Sequence, residues 1–63
     1  MKGAFKVEGK TFLHAELKPG TTSGFSAFQN QLGKWRAGGW KGDVGLFMYD
    51  PAGTGKIVFV GIY

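Results

Sequence analysis

Two segments near the end of the chain, Val44 to Asp50 and Lys56 to Tyr63, are apolar at successive positions instead of alternate ones. Successive side chains of a strand point to opposite faces. Val44, Leu46 and Met48 therefore share one face of the first segment, with Phe47 and Tyr49 on the other. In the second, Val58, Val60 and Ile62 oppose Ile57, Phe59 and Tyr63. Strands with two apolar faces belong to sheets covered on both sides, so any fold open to this chain must supply two covers.

The chain has little to cover them with. At 63 residues it is a single domain, 1–63, and a chain of that size buries only about 60% of the surface its unfolded form exposes. It has no cysteine and one histidine, which rules out a disulfide and leaves too few ligands for a zinc site. No metal and no cofactor are expected. Dense packing or self-association is left as the source of stability.

One segment has helical spacing. From about Gly24 to Ala37 the apolar residues Phe25, Phe28, Leu32 and Trp35 fall three, four and three apart, one face of a helix. Ser23 or Ser26 is the expected N-cap, and Ser26 with Gln29 has capping-box spacing. Gly38-Gly39 is the expected stop, and Gly33 costs the helix about 1 kcal/mol relative to Ala. Such a helix, roughly 21 Å long, covers one face of a small sheet.

Residues 2–8 and 10–18 read as a hairpin around Glu8-Gly9. A two-residue loop pairs Phe5 with Phe12, whereas a three-residue loop through Lys10 pairs Phe5 with Leu13 and Val7 with Thr11. The second register is preferred, because it gathers Met1, Phe5, Val7, Leu13, Ala15 and Leu17 on one face and Lys2, Lys6, Phe12, His14 and Glu16 on the other. Turn chemistry favours the first. Lys18-Pro19-Gly20 ends the second strand.

The sum is an α+β domain in β-β-α-β-β order, a four-stranded, mainly antiparallel sheet with one helix on one face. The helix is expected to lie against Phe5, Val7, Leu13, Leu17, Val44, Leu46, Val58 and Val60, with the register of the last two strands open by one residue. Phe47, Tyr49, Phe59 and Tyr63 then form the second face. It is read as a homo-oligomer or partner interface, or an aromatic platform for bases, unless the helix and the 18–24 connection reach further than the spacing suggests.

Charge points to another surface. Lys and Arg outnumber Asp and Glu eight to four, for a net charge of +4, and the excess peaks in Gly33 to Gly42, where Trp35 and Trp40 stand among Lys34, Arg36 and Lys41. Cations beside flat rings suit an anionic, stackable partner. Trp35 belongs to the helix face, which leaves Lys34, Arg36, Trp40 and Lys41 as the ligand-binding set, extended by Lys2 and Lys6.

Enzymatic chemistry is not expected. Asp50 to Lys56 fails the Walker pattern, with Asp50 and Ile57 where Gly and Ser or Thr are required, and reads as a hairpin connection. His14 and Glu16 form at most a lone acid/base pair without a nucleophile. Asp43 and Asp50 would be about 23 Å apart on an extended strand, too far for a paired-carboxylate hydrolase. No apolar run approaches the roughly 20 residues of a membrane span, so the chain reads as soluble and cytoplasmic. The functional expectation is a small non-catalytic binding protein for nucleic acid or a phosphate-bearing ligand. The alternative is a protein-interaction module or compact inhibitor of the mobile-element type, docking through its aromatic sheet face.

Overall fold

The structure, a computed structural model, describes residues 5–63. Met1 and Lys2, assigned above to the first hairpin's apolar face and to the basic surface, lie outside the described residues. Strands β1 (Phe5–Val7) and β2 (Lys10–Phe12) form an antiparallel pair. They are followed by β3 (His14–Pro19), the helix α1 (Thr22–Ala37), β4 (Val44–Tyr49) and β5 (Ile57–Ile62). No helix among the described residues is long and apolar enough to cross a membrane.

The expected single four-stranded sheet is replaced by two sheets: the β1–β2 hairpin and a three-stranded sheet in the order β3-β4-β5. The first reason lies at Leu13. Its amide and that of His14 both turn to the carbonyl of Asp43, at 2.9 and 3.3 Å, which breaks the expected strand 10–18 into β2 and β3. The second is the 16-residue helix between β3 and β4. A helical crossover returns the chain to the side where it started, so β3 and β4 pair in parallel, whereas the short loop after β4 makes β4–β5 antiparallel.

The hairpin takes the register the turn chemistry favours. Phe5 pairs with Phe12, Lys6 with Thr11 and Val7 with Lys10, not Phe5 with Leu13. Glu8 and Gly9 both have positive φ, 52° and 77°, the backbone of a two-residue hairpin turn whose twist matches that of the strands. Phe5 and Phe12 are thereby placed on one side, with ring centroids 5.5 Å apart.

The helix begins earlier than its apolar spacing implies. Thr21, not Ser23 or Ser26, is the N-cap, its hydroxyl accepting from the Gly24 amide at 2.9 Å. The helix packs Phe28 against Val44 and Leu46, with Phe25, Leu32, Trp35 and Met48 around them. Of the eight residues expected beneath the helix, Val44 and Leu46 are in this core. Leu13, Leu17, Val58 and Val60 are exposed, and Phe5 lies on Phe12. The register explains the inversion on β3. His14, Glu16 and Lys18 pair with Val44, Leu46 and Met48, so the polar side of β3 faces the helix. An edge strand tolerates this because long polar side chains can bury their stems and keep their tips in water.

Part of the second face finds its cover within the chain. Phe12, fully buried, lies over Gly45, with the rings of Phe47 and Phe59 each 6.0 Å away. A Cβ at Gly45 would stand 2.6 to 2.7 Å from the Phe12 ring, so only glycine lets the ring lie flat on β4. The hairpin covers the Gly45–Phe47–Phe59 part of the face and leaves Leu17, Tyr49 and Ile57 exposed.

Candidate functional site

The end of α1 builds the site. Gly38 is the C-cap and Gly39, with φ of 94°, takes the left-handed conformation that ends the helix. The Gly39 amide donates to the Arg36 carbonyl and the Trp40 amide to the Trp35 carbonyl, each at 3.0 Å. This is the Schellman pattern, which brings the residue two beyond the cap against the last turn of the helix. Here that contact is indole on indole: Trp40 meets Trp35 edge to face, with centroids 5.7 Å apart.

β3 adds the third ring. His14 meets Trp35 edge-on at 5.0 Å and Trp40 at 6.3 Å. The three rings and Leu13 line an open pocket of about 310 Å³, at the small end of the range for ligand sites. Behind it, His14 Nε2 is 2.5 Å from Glu16 Oε2, and Lys18 Nζ is 3.8 Å from Glu16 Oε1. The Glu16 carboxylate thus fixes which imidazole nitrogen stays free.

Arg36 braces the site. One guanidinium nitrogen donates to the carbonyls of Trp40 (3.1 Å) and Gly42 (2.9 Å), the other to the carbonyl of Tyr63 (3.0 Å). Its carbon lies 5.6 Å from the Trp40 ring centroid. The side chain therefore ties the Trp40 loop to the strand end and stacks on the indole from outside the pocket. Lys34 and Lys41 are exposed, and neither has a carboxylate partner among the described residues. Of the expected ligand set, Arg36 and Trp40 touch each other, while Lys34 and Lys41 are adjacent in sequence to the two indoles. Trp40 is 39% exposed.

His14, Leu13 and Trp35 belong to this pocket and were not in the expected set. The signal for Trp35 lies in Gly38-Gly39-Trp40, which carries the C-cap whose contact pulls Trp40 back onto Trp35. His14 and Leu13 reach that end of the helix through the parallel β3–β4 pairing, which leaves no mark in the sequence of β3.

Of the four aromatics expected as one interface, Phe47, Tyr49 and Phe59 share the face opposite the helix, where Phe47 and Phe59 are half-buried under Phe12 and Tyr49 is exposed at the end of β4. The register shift in β5 turns Tyr63 to the helix side. Tyr63 packs edge-on against Phe25 and Phe28, at 6.1 and 5.2 Å.

Asp50 organises the β4–β5 connection. Its carboxylate accepts from the Thr54 hydroxyl at 2.6 Å and the Ala52 amide at 2.9 Å, and these bonds, the Thr54 one foremost, hold its pKa below the usual carboxylate value. The loop is a hairpin connection followed by a strand. No group of three or more metal-ligating side chains gathers among the described residues. Compared with protein-family models, curated proteins and solved structures, the chain matches none.

Proposed function

We propose that this chain is a small non-catalytic binding module that holds a nucleotide unit, free or within single-stranded nucleic acid, at the Trp35–Trp40–His14 pocket. The observation that carries this reading is an exposed indole held open beside the imidazole, with Lys34 and Lys41, each next in sequence to one of the two indoles, exposed and without a carboxylate partner among the described residues. A base stacks on Trp40, and the two ammonium groups draw the phosphate. Arg36 acts indirectly, because its guanidinium is occupied by three backbone carbonyls and serves to position the Trp40 loop. The pocket volume suits one base better than a duplex groove. The site's titratable chemistry is the single His14–Glu16 pair, and the reading is binding without turnover.

Fluorescence anisotropy of a labelled oligothymidylate, with ATP as competitor, tests the reading at low and high salt. Binding is expected to weaken steeply as salt rises. Trp40→Ala should cost about 5- to 150-fold, the equivalent of the ~1–3 kcal/mol that one stacked base contributes. Absence of binding to both probes at low salt, or affinity unchanged in Trp40→Ala, refutes the assignment.

A further inference from the structure

The two edges of the three-stranded sheet are unlike. β3 carries Glu16 and Lys18 and ends on Pro19, which has no amide hydrogen to offer. Charges and proline are the usual guards of a sheet edge. β5, the other edge, reads Ile-Val-Phe-Val-Gly-Ile and has neither. Its outer side has no strand partner among the described residues.

The pattern of exposure shows what is missing from β5. Val58 and Ile57 are 59% and 57% exposed, the highest values of any large apolar residue described. They are consecutive and therefore point to opposite faces of the sheet. A partner lying on one face would leave a single parity open. Exposure at both parities indicates an uncovered edge.

From this we infer that β5 pairs with β5 of a second copy, antiparallel about Val58, to give a continuous six-stranded sheet. A bulge opposite Leu46–Phe47 bends β5 at Val60, so the flat stretch available is Ile57 to Phe59, and Val58 is its centre. In this register Val58 meets Val58 of the partner, and Ile57 meets Phe59. All these pairs are apolar, and the two Val58 side chains come within about 4.5–5.5 Å on one face. That face carries a hollow of about 420 Å³ lined by Gly20, Met48, Tyr49, Asp50, Pro51, Lys56 and Val58, at whose mouth the second Val58 would sit.

Charge selects the orientation and favours a second copy. Lys56 directly precedes β5 and is its nearest cation in sequence. Antiparallel pairing about Val58 places it opposite Val60 of the partner, with the two ammonium-bearing positions about 14 Å apart along the strand, beyond the Debye length of about 8 Å. Parallel in-register pairing would set the two lysines side by side. The strand is thus self-complementary in one sense only, and its apolar side chains meet their like.

Sedimentation equilibrium across the micromolar range, with Val58→Lys and Leu17→Lys beside the parent chain, tests this. The parent should show twice the 6.8 kDa chain mass. Val58→Lys should be monomeric with an unchanged circular dichroism spectrum, and Leu17→Lys should remain dimeric. A parent monomeric throughout the range overturns the inference, and so does a Val58→Lys chain that still dimerises or a dimer lost on Leu17→Lys. Should Val58→Lys fail to fold, hydrogen exchange of the parent decides. Amide protection at Ile57–Val60 that rises with concentration supports the pairing; its absence refutes it.

Discussion

At the scale of single residues, Gly45 does the most for the fold, because a ring from another sheet rests on its backbone. A methyl group there would stand 2.6 Å from a Phe12 carbon, and Phe12, at 1% exposure, has no free side to move towards. Gly45→Ala is therefore expected to cost about 1–3 kcal/mol, the usual penalty of overpacking a filled core. In a domain this small, that lowers Tm by at least about 4 °C. Adding Phe12→Leu should return part of the loss, since the two residues are coupled through one contact. A Gly45→Ala chain that melts with the parent would show that the ring does not lie where it is placed. Little of this was legible beforehand. Gly45 interrupts an apolar run, which marks a close approach, but nothing in the run names Phe12 as the group that approaches. Trp40 was more readable, because its place follows from local C-cap chemistry in Gly38-Gly39-Trp40.

At the scale of elements, local chemistry was a better guide than the tidiness of an apolar face. The choice of hairpin register put face pattern against turn preference, and the turn prevailed through Glu8 and Gly9. The face pattern failed because Leu13 and Leu17 are exposed and Phe12 is the buried residue of that segment. The helix was legible from Phe25, Phe28, Leu32 and Trp35. Its partners on β3 were not, since pairing across a 16-residue crossover is non-local and leaves no mark on β3 itself. Gly33 is a further element-scale matter. It lies inside α1 with helical backbone, and a Cβ there would meet nothing within 4 Å. No packing reason offsets its entropic cost, so Gly33→Ala should stabilise the chain by about 1 kcal/mol. Thermal denaturation should show a rise in Tm of about 4–8 °C. A fall would mean that the helix face at Gly33 is in contact with something the monomer does not contain.

At the scale of the whole molecule, the demand for two covers is met by unequal means. The helix covers one face with a 16-residue amphipathic element, and the other is closed over part of its area by a hairpin whose strands are three residues each. That hairpin is too short to be stable alone, so it and the sheet hold each other through Phe12. A domain of about 60 residues has a total stability on the order of 3–9 kcal/mol. Removing one buried phenylalanine costs about 3–5 kcal/mol, so the hairpin is comparable in weight to the whole margin. A chain shortened to begin at Leu13 would expose Phe47 and Phe59 while keeping every element of the three-stranded sheet and the helix. It should lose dispersed amide resonances, bind a hydrophobic dye and unfold without a cooperative transition. Adding residues 1–12 as a separate peptide should not restore the fold at micromolar concentration, because the intramolecular hairpin benefits from an effective concentration in the millimolar range. If the shortened chain instead melts cooperatively and leaves the dye dark, a surface other than the hairpin must cover Phe47 and Phe59, and edge-to-edge pairing of β5, which extends the sheet in its own plane, is not that surface.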